Sequence, residues 1–150
     1  MNRKPKKSEA ITVSNFTVTT QWVSVEINVS NLIHKALSRV PRGLLREASD
    51  AVENLMIHVS MYADERPDMK PEEIIRAMGK PLVFLGHHPG QKLMPLEIRM
   101  EAANWERLKA AAAALDVSVV EFCREAFHQR SMRFAAFYRS RSEKREGRAA

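Results

Sequence analysis

Two short segments of the chain alternate apolar and polar residues at every other position. In the first, Val23, Val25, Ile27 and Val29 are interleaved with Ser24, Glu26 and Asn28. In the second, Leu96, Ile98 and Met100 are interleaved with Glu97 and Arg99. A period of two predicts a strand with one face buried and the other in water. Pro95, at the head of the second segment, favours an extended start and an edge position, because it has no N–H to offer a further ladder. After each segment the spacing lengthens to three and four. Leu32, Ile33, Ala36, Leu37 and Val40 follow the first, with Ser30 or Asn31 as cap; Trp105, Leu108, Ala112 and Leu115 follow the second. That spacing predicts amphipathic helices.

A second helix is expected after each of these. Pro41-Arg42-Gly43 interrupts the first run, and apolar spacing resumes from Leu44 through Ala48, Val52, Leu55 and Val59 to about Tyr62. Asp116-Val117 interrupts the other run. Ser118 then opens SVVE, a capping box in which Ser118 caps the helix and Glu121 reaches back. Phe122, Cys123, Ala126 and Phe127 carry this long helix on, and Phe134, Phe137 and Tyr138 extend its apolar face. The chain thus contains one unit twice: strand, helix, helix. VEINVS at Val25–Ser30 is answered by LEIRME at Leu96–Glu101, and LLREA at Leu44–Ala48 by FCREA at Phe122–Ala126. Ile27 and Arg46 are 19 residues apart, Ile98 and Arg124 are 26 apart. The difference is about two helical turns, which keeps the same helix face inward.

These patterns divide the chain into a basic flexible N-terminal tail (1–14), a first unit (15–65), a connector (66–91), a second unit (92–138) and a basic C-terminal tail (139–150). In the connector, Pro71 suits the first position of a short helix over Glu72–Met78, which Gly79-Lys80-Pro81 stops. Leu82–Leu85 reads as a short strand or a buried apolar strap, and Gly86–Lys92 as a loop. Thr12–Thr20 looks extended without an evident partner.

Composition narrows the classes. The chain has 150 residues, 45% of them hydrophobic and 28% charged, enough for one domain with a real core. No apolar run approaches the roughly 20 residues of a membrane span, so no membrane partner is expected. The opening MNRKPKKSEA lacks the apolar core of a signal peptide. Cys123 is the single cysteine, which excludes an internal disulfide and makes the reducing cytoplasm the natural setting. It reads as a small core residue, and Trp22 and Trp105 as core or core-edge anchors. Arg46 and Arg124 read as helix-surface or intramolecular ion-pair residues. His87-His88 has no further ligand at metal-binding spacing and reads as loop. The chain has no Gly-rich phosphate loop, HExxH, paired-cysteine motif or GxSxG. No enzyme activity, metal or cofactor is therefore expected.

The net charge of +6 changes the picture less than it first suggests. Residues 1–7 hold four cations, and residues 139–150 hold five cations and two glutamates, so the body between them sums to −1. The basicity belongs to the tails, which can hold polyanions without sequence preference.

The repeat itself carries a functional expectation. The strand–helix–helix plan, with S-x-x-E-x-x-R-x-A at Ser118–Ala126, resembles the ribbon-helix-helix superfamily of DNA-binding proteins. The match spans LMPLEIRME to SVVEFCREAF in the second unit and is looser in the first. Having both units in one chain looks like the tandem variants among conjugation accessory proteins and plasmid regulators. The resemblance implies a mainly α fold with a two-stranded antiparallel β-ribbon, a tandem ribbon-helix-helix pseudo-dimer. It implies sequence-specific binding of double-stranded DNA, the ribbon entering the major groove. Ser24, Glu26, Asn28, Glu97 and Arg99 would then face bases, Asn pairing with adenine and Arg with guanine. An ion pair within the ribbon, such as Glu26 with Arg99, is the other use of those glutamates. The starts of the second helices, Arg42 and Gly43 in one unit and Ser118 and Val119 in the other, would hold phosphates through free N–H groups. Gly43 departs from the family's Ser or Thr cap. The expected role is regulation of transcription on a plasmid or mobile element. The alternatives are an accessory role in conjugative transfer, in the relaxosome, or a protein-interaction module that has lost DNA binding. Expected partners are double-stranded DNA, a second copy of the chain, and other transfer or transcription proteins.

Overall fold

The computed structural model describes residues 11–14, 21–80, 82–84 and 92–149, with side chains described over 21–80, 82–84 and 92–134. Among these residues the chain is mainly helical, with one antiparallel sheet. The elements run β1 (Ile11–Ser14), β2 (Trp22–Ser30), α1 (Asn31–Ser38), α2 (Leu44–Ala63), α3 (Pro71–Met78), β3 (Leu93–Glu101), α4 (Ala102–Ala114) and α5 (Val119–Ala149).

The two alternating segments pair with each other. β2 and β3 are antiparallel along their whole lengths, from Trp22 opposite Glu101 to Ser30 opposite Leu93. At the middle of this ladder Glu26 faces Glu97. Period-two burial follows the sequence: Val23, Val25, Ile27 and Val29 and, across the ladder, Leu96, Ile98 and Met100 are buried. Each such side chain contributes roughly 1.5–3 kcal/mol relative to exposure, so a slip of one residue, which would turn every one of them outward, is excluded.

The helices start where the strands end. Ser30 Oγ accepts from the Ile33 N–H and caps α1. Asn31 N–H donates to the Lys92 carbonyl (3.1 Å), and Ala102 N–H donates to the Gln21 carbonyl (2.9 Å). Each bond ties the first residue of a helix to the residue just before the other strand, so both ends of the ladder are closed in the same way. The second helices then cross over: α2 packs on β3 and α4, and α5 packs on β2 and α1. Ser49 Oγ of α2 accepts from the Arg99 N–H (2.9 Å), while Arg124 Nε of α5 donates to the Asn28 carbonyl (3.1 Å). Leu37, Val52, Met56, Leu108, Phe122 and Phe127 fill the core against the inner face of the sheet.

Two expectations are corrected. The sheet has three strands, not two, because β1 pairs with the outer edge of β2 over Trp22–Val25. Ile11–Ser14 therefore does not belong to a tail. Ile, Thr and Val suit a pleated edge, and the outer edge of β2 offers unpaired backbone groups. Within the basic segment 139–150, α5 is helical to Ala149. Between Val119 and Glu146 it meets no Pro or Gly, and its Arg, Glu, Lys and Ala residues favour helix. Residues 1–10 lie outside the described residues.

The connector helix α3 begins at Pro71 and ends in Gly79, whose φ of 69° is the left-handed cap that glycine supplies. Leu82 and Phe84 then pack against the core as a strap without strand pairing. His87 and His88 lie outside the described residues.

The repeated REA triplets take up two buried carboxylates. Glu47 and Glu125 are each only 2% exposed. Glu47 accepts from Arg130 of α5, an ion pair joining the two second helices. Glu125 instead accepts from the N–H groups of Val83 and Phe84 (2.9 and 2.7 Å) and from Gln129. The same sequence position thus does different work in each half, because the strap reaches only one of them.

Candidate nucleic-acid interface

The outward row of the β2–β3 ladder is the face that the helices leave open. Glu26, Asn28 and Arg99 are exposed there, and Ser24 and Glu97 partly so. Across the ladder Ser24 stands opposite Arg99, Glu26 opposite Glu97, and Asn28 opposite Pro95. The five residues expected to face bases therefore share one surface, with two carboxylates at its centre. Like charges directly opposite one another are destabilising.

Arg99 offsets part of that repulsion. Its Nη2 lies 3.3 Å from Glu97 Oε2, and its Nε donates to Ser24 Oγ at 3.3 Å. The expected ion pair between Glu26 and Arg99 is not the one formed. Glu97 is two residues from Arg99 on the same strand and face, whereas the register places Ser24, not Glu26, across from it. Asn28 keeps its side chain exposed while Arg124 occupies its carbonyl.

The helix starts flank the ladder but differ from each other. At α5, Glu121 N–H donates to Ser118 Oγ (3.1 Å) and Ser118 N–H donates to Glu121 Oε1 (3.2 Å), a closed capping box. Ser118 is exposed and Val119 half-buried. The box satisfies the Glu121 N–H and sets a carboxylate beside the N–H groups expected to hold a phosphate. At α2, Gly43 is the cap, with φ 94° and ψ 146°, a conformation open to glycine and strained for a residue with a Cβ. No side chain caps the first N–H groups of α2.

That uncapped end borders a cleft of about 520 Å³ lined by Trp22, Arg42, Gly43, Arg46, Asp50 and Arg99, among others. The cleft brings a residue expected to read bases, Arg99, together with Arg42 and Gly43, expected to hold phosphate. Arg42 also pairs with Asp50. Glu53, on the same cleft, has its carboxyl pKa raised, first by burial and then by the charges of Asp50 and Glu101. Ser118 and Val119 do not share this cleft; their helix meets the other end of the ladder, through Arg124 at Asn28. Sequence reasoning missed Arg46 and Trp22 as parts of the cleft. The available signal was the four-residue spacing of Arg42 and Arg46 across the start of α2, which places both near one helix end.

Cys123 is fully buried, and that burial pushes its thiol pKa up to about 12. Among the described residues no group of three or more His, Cys, Asp or Glu could hold a metal ion, and no helix is long and apolar enough to cross a membrane. No family model, curated protein or solved structure matches the chain.

Proposed function

We propose that the chain is a tandem ribbon-helix-helix protein, its two strand–helix–helix units forming one pseudo-dimer, and that it binds double-stranded DNA with sequence preference through the outward face of β2 and β3. The observation that carries this reading is the ladder itself: an antiparallel pair whose inward row is core from Val23 to Val29 and from Leu96 to Met100, and whose outward row offers Ser24, Glu26, Asn28, Glu97 and Arg99. Crosswise packing of α2 on β3 and of α5 on β2 supports the pseudo-dimer. Strands lie about 4.8 Å apart, so even where β1 widens the sheet its backbone spans roughly 10 Å, within a major groove about 12 Å wide.

The roles divide by chemistry. Arg99 donates to guanine, Asn28 pairs with adenine, and Glu26 accepts from the amino group of cytosine. The open start of α2, with Arg42 and Gly43, holds a phosphate on one side. Ser118 and Val119 approach the backbone on the other. Residues 1–7 and the basic end of α5 add affinity that falls with salt. Because the two strands carry different readers, the preferred site is asymmetric. The setting this fits is control of transcription on a plasmid or mobile element, or assembly of a transfer complex at an origin.

A second reading rests on the opposed Glu26 and Glu97: a face whose net charge is −1 suits a protein partner rather than phosphate. Selection from a random duplex pool at about physiological salt separates the two. The DNA reading expects an enriched asymmetric motif. An enriched palindrome points to two copies of the chain acting together, and a folded protein that enriches nothing favours the interaction module.

A further inference from the structure

Arg99 has two neighbours on the outward face, and each takes one of its N–H groups. Nε–H points to Ser24 Oγ across the ladder, and Nη2 to Glu97 Oε2 along its own strand, both at 3.3 Å. A guanidinium carries five N–H donors in a rigid fork. Nε and one Nη2 proton are held by the protein. No hydrogen bond engages Nη1 among the described residues, and with Glu97 on the Nε side of Nη2 the outer Nη1–Nη2 edge can donate two parallel bonds to the O6 and N7 of a guanine. The side chain is about half exposed, at 48%, so the free edge reaches solvent. An exposed arginine left to itself samples many rotamers. Here a hydroxyl on one strand and a carboxylate on the other fix the plane of the fork.

Ser24 and Glu97 were expected to read bases themselves. Their hydrogen bonds give them another task. A carboxylate engaged by Arg99 is a poor acceptor for cytosine, and it repels phosphate. Resting on the DNA reading above, we infer that Ser24 and Glu97 are positioning residues for Arg99, and that Arg99 fixes one guanine displaced from the centre of the site. The displacement follows from the register: the centre of the ladder is Glu26 opposite Glu97, and Arg99 lies toward the end where Trp22 meets Glu101. Asn28, the residue on the opposite side of that centre, faces Pro95, and among the described residues no hydrogen bond holds its side chain. Discrimination is therefore concentrated in one half of the site.

The experiment uses the full-length protein and the variants Arg99→Lys, Glu97→Gln and Ser24→Ala. Each is titrated at fixed salt with the duplex selected by the wild type, with that duplex changed at one base pair at a time, and with an unrelated duplex. All three positions are solvent-facing, and urea unfolding checks that each variant folds. Wild type is expected to prefer guanine at one off-centre position by about 5- to 150-fold, the range a bidentate pair provides. Arg99→Lys removes the planar fork and keeps the charge, so it should lose that preference while affinity for unrelated DNA falls by a much smaller factor. Glu97→Gln should move two readouts in opposite directions. Affinity for the unrelated duplex rises, because a carboxylate has left the DNA-facing surface, while discrimination at the guanine falls several-fold. Ser24→Ala should lower discrimination at the guanine by a larger factor than it lowers affinity for the unrelated duplex. A merely structural role for Glu97 would move both affinities the same way. Full guanine discrimination in Glu97→Gln and Ser24→Ala overturns the positioning role. Full discrimination in Arg99→Lys overturns Arg99 as the reader. A wild type indifferent to every base change overturns the DNA reading on which the inference rests.

Discussion

Removing Arg130 should expose how strongly the two halves of the chain depend on one ion pair. Arg130 on α5 is 9% exposed and its partner Glu47 on α2 is 2% exposed, so each charge depends on the other far more than on solvent. Arg130→Met keeps most of the apolar stem and leaves the Glu47 carboxylate buried without its cation. Breaking a buried pair in this way costs about 3–5 kcal/mol. The whole stability of a folded domain is of the order of 5–15 kcal/mol. The loss should therefore lower the melting temperature by about 6–20 °C, at about 2–4 °C per kcal/mol. The double variant Glu47→Leu with Arg130→Met removes both charges together, and the cost of burying them disappears with their attraction. It should lie within about 1 kcal/mol of wild type or be more stable. Urea unfolding followed by circular dichroism gives all four free energies of the cycle. A single variant within about 1 kcal/mol of wild type, or a double variant as unstable as the sum of the singles, would refute the reasoning, because either would mean that Glu47 is solvated in the folded state.

Three smaller perturbations test other parts of the structure. Ser118→Ala opens the capping box at α5 and should cost about 1 kcal/mol in urea unfolding, whereas Gly43→Ser at the start of α2 should destabilise despite adding a capping hydroxyl, because φ there is 94°. Glu53→Gln should raise the melting temperature at pH 7 and not below pH 4. The folded pKa is raised above the ordinary 4.5, so the folded state carries a penalty that grows as pH rises through the window above 4.5 and is absent below it. Equal gains at both pH values would contradict this. Cys123 should resist a thiol reagent in the native protein and react on unfolding, since it is fully buried with its pKa near 12. Labelling as fast as in urea would place it elsewhere than the core.

Much of the scaffold was legible because its signals are local. Alternation in Val23–Val29 and Leu96–Met100 marked both strands and their inward faces, and Pro95 marked the edge. Ser118 with Glu121, Pro71 and Gly79 marked helix ends through backbone chemistry that depends on a few neighbours. What escaped depends on partners distant in sequence. Ile11–Ser14 is a strand only because β2 offers it an edge. The partner of Arg99 follows from the register, which places Ser24 opposite it and Glu97 beside it. Glu47 and Glu125 share a triplet and differ in their bonds, because Arg130 lies by one and the strap at Val83-Phe84 by the other. The basic end of α5 is legible in composition as a charged segment, and its helicity follows from the propensities of its Arg, Glu, Lys and Ala residues. At the candidate interface the outward row was legible from the alternation; the cleft between Arg99 and the start of α2 was not, because it needs the packing of α2 on β3.

Contact between DNA and the outward face of β2 and β3 is tested by titrating isotope-labelled protein with the selected duplex and following backbone amide shifts. The largest changes are expected at Ser24–Asn28, Glu97–Arg99 and the start of α2, with α3 unmoved. Changes confined to the termini, with the β2–β3 amides unmoved, would contradict it.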